Sequence, residues 1–183
     1  MRGSTLKEIL TERGMTGAER GTLLHGLIAK APIERLRGLS ESALRQRLAE
    51  FADALAARRQ MTAEERRAMA VSPVADFFAS PLGRRVLSSK RVEREWAFNC
   101  FFGTLLVQGM IDLCFLEGNR WVLLDFKTDA APDSELLDRY GEQIRMYAQA
   151  LASLTEIPVA EAMLVRIGRT GTVRVPLDAP PRA

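Results

Sequence analysis

The sequence predicts one α/β domain with a helical first half, an antiparallel three-stranded meander, a crossover helix and a further strand. Three observations lead there. Apolar residues recur at helical spacing up to about residue 78, alternation typical of strands takes over from Val92 to Lys127, and helical spacing returns from Ser134 to Leu154. At 183 residues and 47% hydrophobic content, the chain can bury a sizeable core as one domain.

The first helix runs from about Thr16 to Ala29, with Leu23, Leu24, Leu27 and Ile28 as its stripe, His25 among them, and Pro32 closing it. Ser40 begins a second, amphipathic helix with Leu44, Leu48, Phe51 and Leu55 inward and Arg and Glu outward. Thr62 with Glu65 forms a capping box for a third, and Val74, Phe77 and Phe78 continue the apolar contacts past Pro73. Val92 to Phe102, Thr104 to Phe115 and Arg120 to Lys127 read as strands separated by Gly103 and by Gly118-Asn119. After the Ser134 to Leu154 helix, Val159 to Ile167 and Thr172 to Val175 read as two more strands. Residues 1–15 read as a linker or cloning remnant, 16–176 as the domain and 177–183 as a frayed tail.

Composition excludes several classes. Apolar runs are far too short for a membrane span, and no signal-peptide pattern opens the chain, so a cytoplasmic protein without membrane contact is expected. Cys100 and Cys114 lack metal-binding spacing and read as buried free thiols. No phosphate-binding GxxxxGK[ST] loop occurs, so the chain has no ATP motor of its own. The net charge of +3 permits a nucleic-acid partner without requiring one. Arg58-Arg59, Arg66-Arg67, Arg84-Arg85 and Lys90-Arg91 either line a phosphate groove or are solvated helix faces.

The chemistry concentrates in the hairpin. If Gly118-Asn119 is a two-residue turn, in-register pairing sets Asp112 opposite Asp125 on one face, their Cβ atoms roughly 4.5–5.5 Å apart. Like charges so close are destabilising unless offset, and a hard cation such as Mg²⁺ or Mn²⁺ offsets them. Lys127, two residues on, shares that face by alternation. An isolated Asp-x-Lys tripeptide is ordinarily an ion pair at a strand end, but the apolar approach Trp121-Val122-Leu123-Leu124 reads as a buried strand where charges need a reason.

These residues carry a family resemblance. Gly109-Met110-Ile111-Asp112 followed by Leu124-Asp125-Phe126-Lys127-Thr128 resembles the signature of RecB/AddA-type nuclease domains in the PD-(D/E)xK superfamily. Gly21-Thr22-Leu23-Leu24-His25, Arg94-Glu95-Trp96-Ala97-Phe98 and Gln143-Ile144-Arg145-Met146-Tyr147 resemble its other motifs, in the same order. The four-cysteine cluster of the iron–sulfur members is absent. The resemblance implies a restriction-endonuclease-like core, and hydrolysis of DNA phosphodiester bonds with Mg²⁺, for which Mn²⁺ substitutes. It implies that His25, Asp112, Asp125 and the Phe126 carbonyl ligate the metal, and that Lys127 holds the attacking water. Glu95 would position water, although Glu93 competes for that role by alternation. Gln143 would orient Lys127 or a phosphate oxygen, and Tyr147 would contact DNA. The implied partners are single-stranded DNA, a helicase domain of the same parent chain and a second helicase-nuclease subunit, in double-strand-break repair and recombination. A stand-alone repair exonuclease and a non-catalytic DNA-binding module are the rival readings.

Overall fold

The computed structural model describes residues 16–168 and 171–178; the expected linker or cloning remnant, 1–15, and most of the tail lie outside the described residues. The chain begins with helices α1 (Gly17–Lys30), α2 (Ile33–Leu36), α3 (Glu41–Arg58), α4 (Ala63–Ala68), α5 (Val71–Ala79) and α6 (Pro81–Ser88). Strands β1 (Val92–Phe102), β2 (Leu105–Glu117) and β3 (Arg120–Lys127) follow, then α7 (Asp133–Thr155), β4 (Val159–Arg166) and β5 (Thr172–Arg174).

Local chemistry sets these boundaries. The Thr16 hydroxyl accepts from the Glu19 N–H at 3.2 Å while the Glu19 carboxylate accepts from the Thr16 N–H at 2.7 Å, closing the capping box of α1. Thr62 and Glu65 do the same for α4, and Ser40 caps α3 through the Ala43 N–H. The expected third helix is two helices, because the turn at Met69 and Ala70 separates α4 from α5. Two helices escaped the sequence reading, α2 and α6. Ser80 caps α6, with Pro81 at its first position. Gly83 permits the crossing of α5 and α6: a Cβ there would sit 2.0 Å from the Phe77 carbonyl oxygen.

The described strands form one sheet in the order β1-β2-β3-β4-β5. β1, β2 and β3 are an antiparallel meander, β4 joins β3 in parallel through α7, and β5 is an antiparallel edge. The expected crossover is therefore present. Each face of the sheet has its own core. Val122, Leu124 and Phe126 of β3 pack with Leu27, Ile28, Phe77 and Phe78 of the helical layer. Trp121 and Leu123 pack on the other face with Leu136, Ile144 and Leu151 of α7. Cys100 and Cys114 are buried free thiols, and burial pushes the Cys114 thiol up to about 12.

Candidate metal and phosphate site

β3 runs buried almost to its C-terminal end and delivers Asp125 and Lys127 there. Asp125 is only 7% exposed. Lys127 Nζ lies 2.6 Å from its Oδ2 as an ion pair, and no other side chain or backbone group donates to that buried oxygen among the described residues. Burial pushes the Asp125 carboxyl above the usual range, the Lys127 charge opposes this, and the nearby Asp112 adds to it. The Lys127 ammonium stands 4.2 Å from the centre of the Tyr140 ring on α7.

The β2–β3 pairing runs in the expected register from Glu117 with Arg120 to Leu113 with Leu124. Asp112 and Asp125 come next in that register, but the ladder opens before them. The Asp112 carboxylate instead accepts the Phe126 N–H at 2.8 Å and lies 3.5 Å from His25 Nδ1. Asp112 thus turns to His25 on α1 instead of pairing across the ladder with Asp125, while Asp125 pairs with Lys127, which lies over Tyr140 of α7.

The reason lies one strand away. Glu95 has φ +48°, a left-handed conformation rare for a residue with a side chain. Pairing between β1 and β2 holds on both sides of it, Arg94 with Leu113 and Trp96 with Ile111, but skips Glu95 and Asp112. The alternation reverses there. Val92, Leu113 and Phe115 face the helical layer, while Trp96, Phe98, Cys100 and Ile111 face α7.

Glu95 and Glu93, equivalent by alternation, are thereby separated. The Glu95 carboxylate pairs with Lys30 at 3.3 Å and lines the same cavity as His25 and Asp112. Glu93 pairs with Arg91 at 3.1 Å. The Asp112 carboxylate, above all, raises the pKa of His25, outweighing the opposing effect of burial. His25 also meets the Phe126 ring edge-on at 6.1 Å. Gly21 lets α1 approach this close, since a Cβ there would stand 3.2 Å from the Thr128 hydroxyl.

Gln143 and Tyr147 lie on one side of α7, the amide donating to the phenol oxygen at 3.1 Å. The Tyr147 ring packs edge-on against Phe98 at 5.1 Å, over Gly109. The structure thus brings His25, Glu95 and Asp112 to one cavity and joins Asp125 and Lys127 beside it, while Gln143 engages Tyr147. The buried Asp125 carboxylate, electrostatically coupled to a second carboxylate and an imidazole, suits a hard cation. Among the described residues, however, no three His, Cys, Asp or Glu side chains stand as a ready-made metal shell.

Most of the arginines proposed for a phosphate groove are structural clamps. Arg84 donates to the Leu39 carbonyl, and Arg85 bridges Glu117 and Glu161. Arg66 holds Asp53, and Arg91 pairs with Glu93 while lying over Trp121. Sequence reasoning also missed Lys30, partner of Glu95; Tyr140, close in sequence to the Gln143 and Tyr147 face, lies beneath Lys127. Arg59 lines the His25 cavity.

The PD-(D/E)XK nuclease superfamily model matches residues 2–180. The chain belongs to this superfamily, and within it is a RecB/AddA-type nuclease domain with the corresponding restriction-endonuclease-like fold. It is similar to the AddA polypeptide of the ATP-dependent helicase/nuclease from Syntrophomonas wolfei, at 31% identity over 176 residues. It is also similar to the AddA polypeptides of Bacillus cereus, at 31% identity over 186 residues, and Geobacillus thermodenitrificans, at 30% over 179. These alignments cover 85% to 88% of this chain but only 14% of each relative. Among solved structures, protein VC1899 from Vibrio cholerae covers 87% of this chain and 50% of its own, at 12% identity and a TM-score of 0.37. No helix among the described residues is long and apolar enough to cross a membrane.

Proposed function

We propose that this domain hydrolyses DNA phosphodiester bonds with Mg²⁺, or Mn²⁺ in its place, acting mainly on single-stranded DNA. The observation that carries the reading is the buried Asp125 carboxylate at the end of β3, whose inner oxygen has only the Lys127 ammonium as partner. His25, Asp112, Asp125 and the Phe126 carbonyl would hold the cation, with the Phe126 N–H fixing the Asp112 carboxylate. When bound, the cation would polarise the scissile phosphoryl group and lower the pKa of a coordinated water.

The chain's own side chains supply the rest. Lys127, anchored over Tyr140, orients the attacking water and offsets negative charge growing on the phosphate. Glu95 receives or positions a water proton from across the cavity, and Lys30 holds its carboxylate in place. Tyr147, fixed by Gln143 and Phe98, meets the strand on the α7 side.

The substrate form and setting follow from the likeness to helicase/nuclease polypeptides, of which this chain spans 14%. A helicase domain of the parent polypeptide delivers the strand, partnered by a second helicase-nuclease subunit, in cytoplasmic double-strand-break repair. Calorimetric titration with Mn²⁺ tests the site. Asp112→Ala and Asp125→Ala each weaken binding and remove cleavage; unchanged binding in both variants would defeat the metal assignment.

A further inference from the structure

The site has two arms. One cavity, on the Lys127 and Tyr140 side, and another, on the Glu95 and Asp112 side, share Thr22, His25 and Phe126 as lining. The second arm is bounded by Lys30, Arg59 and Met110. Met110 is also the first residue of an exposed strip running away along the hairpin.

The reversal at Glu95 creates this strip. Beyond it, Phe98 and Cys100 face α7, so the alternate residues of β1 and β2 face the opposite way. They form three cross-strand pairs, Ala97 with Met110, Asn99 with Gln108 and Phe101 with Leu106, and all six are exposed. Phe101 is 68% exposed, Met110 51% and Leu106 46%. Gln108 donates its amide to the Asn99 side-chain oxygen at 2.9 Å. No charged residue interrupts the strip; the cations Lys30 and Arg59 stand at its cavity end.

We propose that this hairpin strip binds the bases of the strand being cut, and that it makes the domain select unpaired DNA. The inference rests on the nuclease reading above and assigns that site a specificity element. Phosphates need cations, which occur at the cavity end. The strip beyond offers flat and flexible apolar groups with an amide pair between them, the chemistry of base faces and base edges. In a duplex those faces are stacked on neighbouring bases and cannot reach it. At roughly 3.3–3.4 Å per strand residue, the distance from Met110 to the Phe101 pair is about 13 Å, enough for about three or four stacked nucleotides.

The test uses the whole chain carrying Phe101→Ser and Leu106→Ser together, changes on exposed side chains outside the catalytic cluster. Fluorescence anisotropy in EDTA compares labelled oligothymidylates of about 4 and about 12 nucleotides, lengths chosen to fall short of and to span the strip. Wild type binds the longer one at least about 10-fold tighter, the double variant loses that gain without losing the short oligonucleotide, and Phe101→Trp keeps it. With Mg²⁺, the ratio of single-strand to duplex cleavage falls by a similar factor in the double variant. If the double variant binds both lengths as wild type does, the inference is wrong, and the strip serves another surface such as a protein domain. The binding arm does not depend on cleavage, so absent cleavage by wild type would sink the nuclease reading separately.

Discussion

Glu95 and Asp112 stand opposite each other at the one place where pairing between β1 and β2 is interrupted, Glu95 in a left-handed conformation and Asp112 turned to the Phe126 N–H. This interruption leaves both carboxylates outside the ladder and redirects the rest of the hairpin. Such backbone strain costs about 1–3 kcal/mol. Glu95→Gly therefore folds at least as stably as Glu95→Ala, which keeps the strain and loses the Lys30 pair, while both lose cleavage. Thermal melts of the two variants check this; an Ala variant clearly more stable than the Gly variant would contradict it.

Lys127 is proposed to act on water and phosphate rather than on the cation. Lys127→Ala loses cleavage of single-stranded DNA while Mn²⁺ affinity, measured by calorimetry, is retained or raised. Near-normal turnover in that variant would return Lys127 to a simple ion pair with Asp125.

Asp125 is held in the fold at a cost, since burial disfavours its charge more than Lys127 favours it. Asp125→Asn, of the same shape, keeps the fold and raises the metal-free melting temperature by roughly 2–4 °C for each kcal/mol gained. A fall on calorimetric melting would show that the ion pair dominates.

Two glycines in helices differ in what surrounds them. Gly83→Ala drives a Cβ into backbone atoms of Phe77 and Phe78, and destabilises by about 1–3 kcal/mol. Gly141→Ala meets only the far end of Arg145 at 3.4 Å, and stabilises by about 0.5–1 kcal/mol. Urea unfolding of both variants reads the opposite signs.

The pH dependence of stability includes a contribution from Glu117, whose carboxyl is held below its ordinary 4.5 by hydrogen bonds from Arg85. A depressed folded pKa gives stability that is present above 4.5 and lost as pH falls through the lower folded value. Because Glu117 is half exposed, the contribution is small. Glu117→Gln flattens the melting-temperature profile on the acid side; an unchanged slope would show that this pair contributes nothing.

Much of the scaffold was legible because its signals are local. Ser40 and Thr62 cap the helices they were expected to cap, the first helix begins beside Thr16 as expected, and β1 and β3 begin and end where alternation does. The hairpin register followed from Gly118, whose φ of +58° suits the turn. The direction of Asp112 was not legible, since period-two reasoning assumes an unbroken strand and nothing local in Arg94-Glu95-Trp96 announces a left-handed residue. α6 was missed because Pro81 and Gly83 look like loop residues, although one begins the helix and the other lets it cross α5. The partners of the arginine pairs were not legible for a similar reason: Leu39 for Arg84 and Glu161 for Arg85 are distant in sequence.

Asp125 is proposed above all as part of a metal-dependent site that cuts DNA strands already single. Release of labelled nucleotides from single-stranded DNA and from covalently closed duplex, with Mg²⁺ and without ATP, tests this directly beside Asp125→Ala. Wild type is expected to degrade the single strand, leave closed duplex largely intact and lose activity steeply as salt rises, and Asp125→Ala to be silent. Equal activity of wild type and Asp125→Ala would contradict the assignment of the site, and equal rates on the two DNA forms would contradict its substrate.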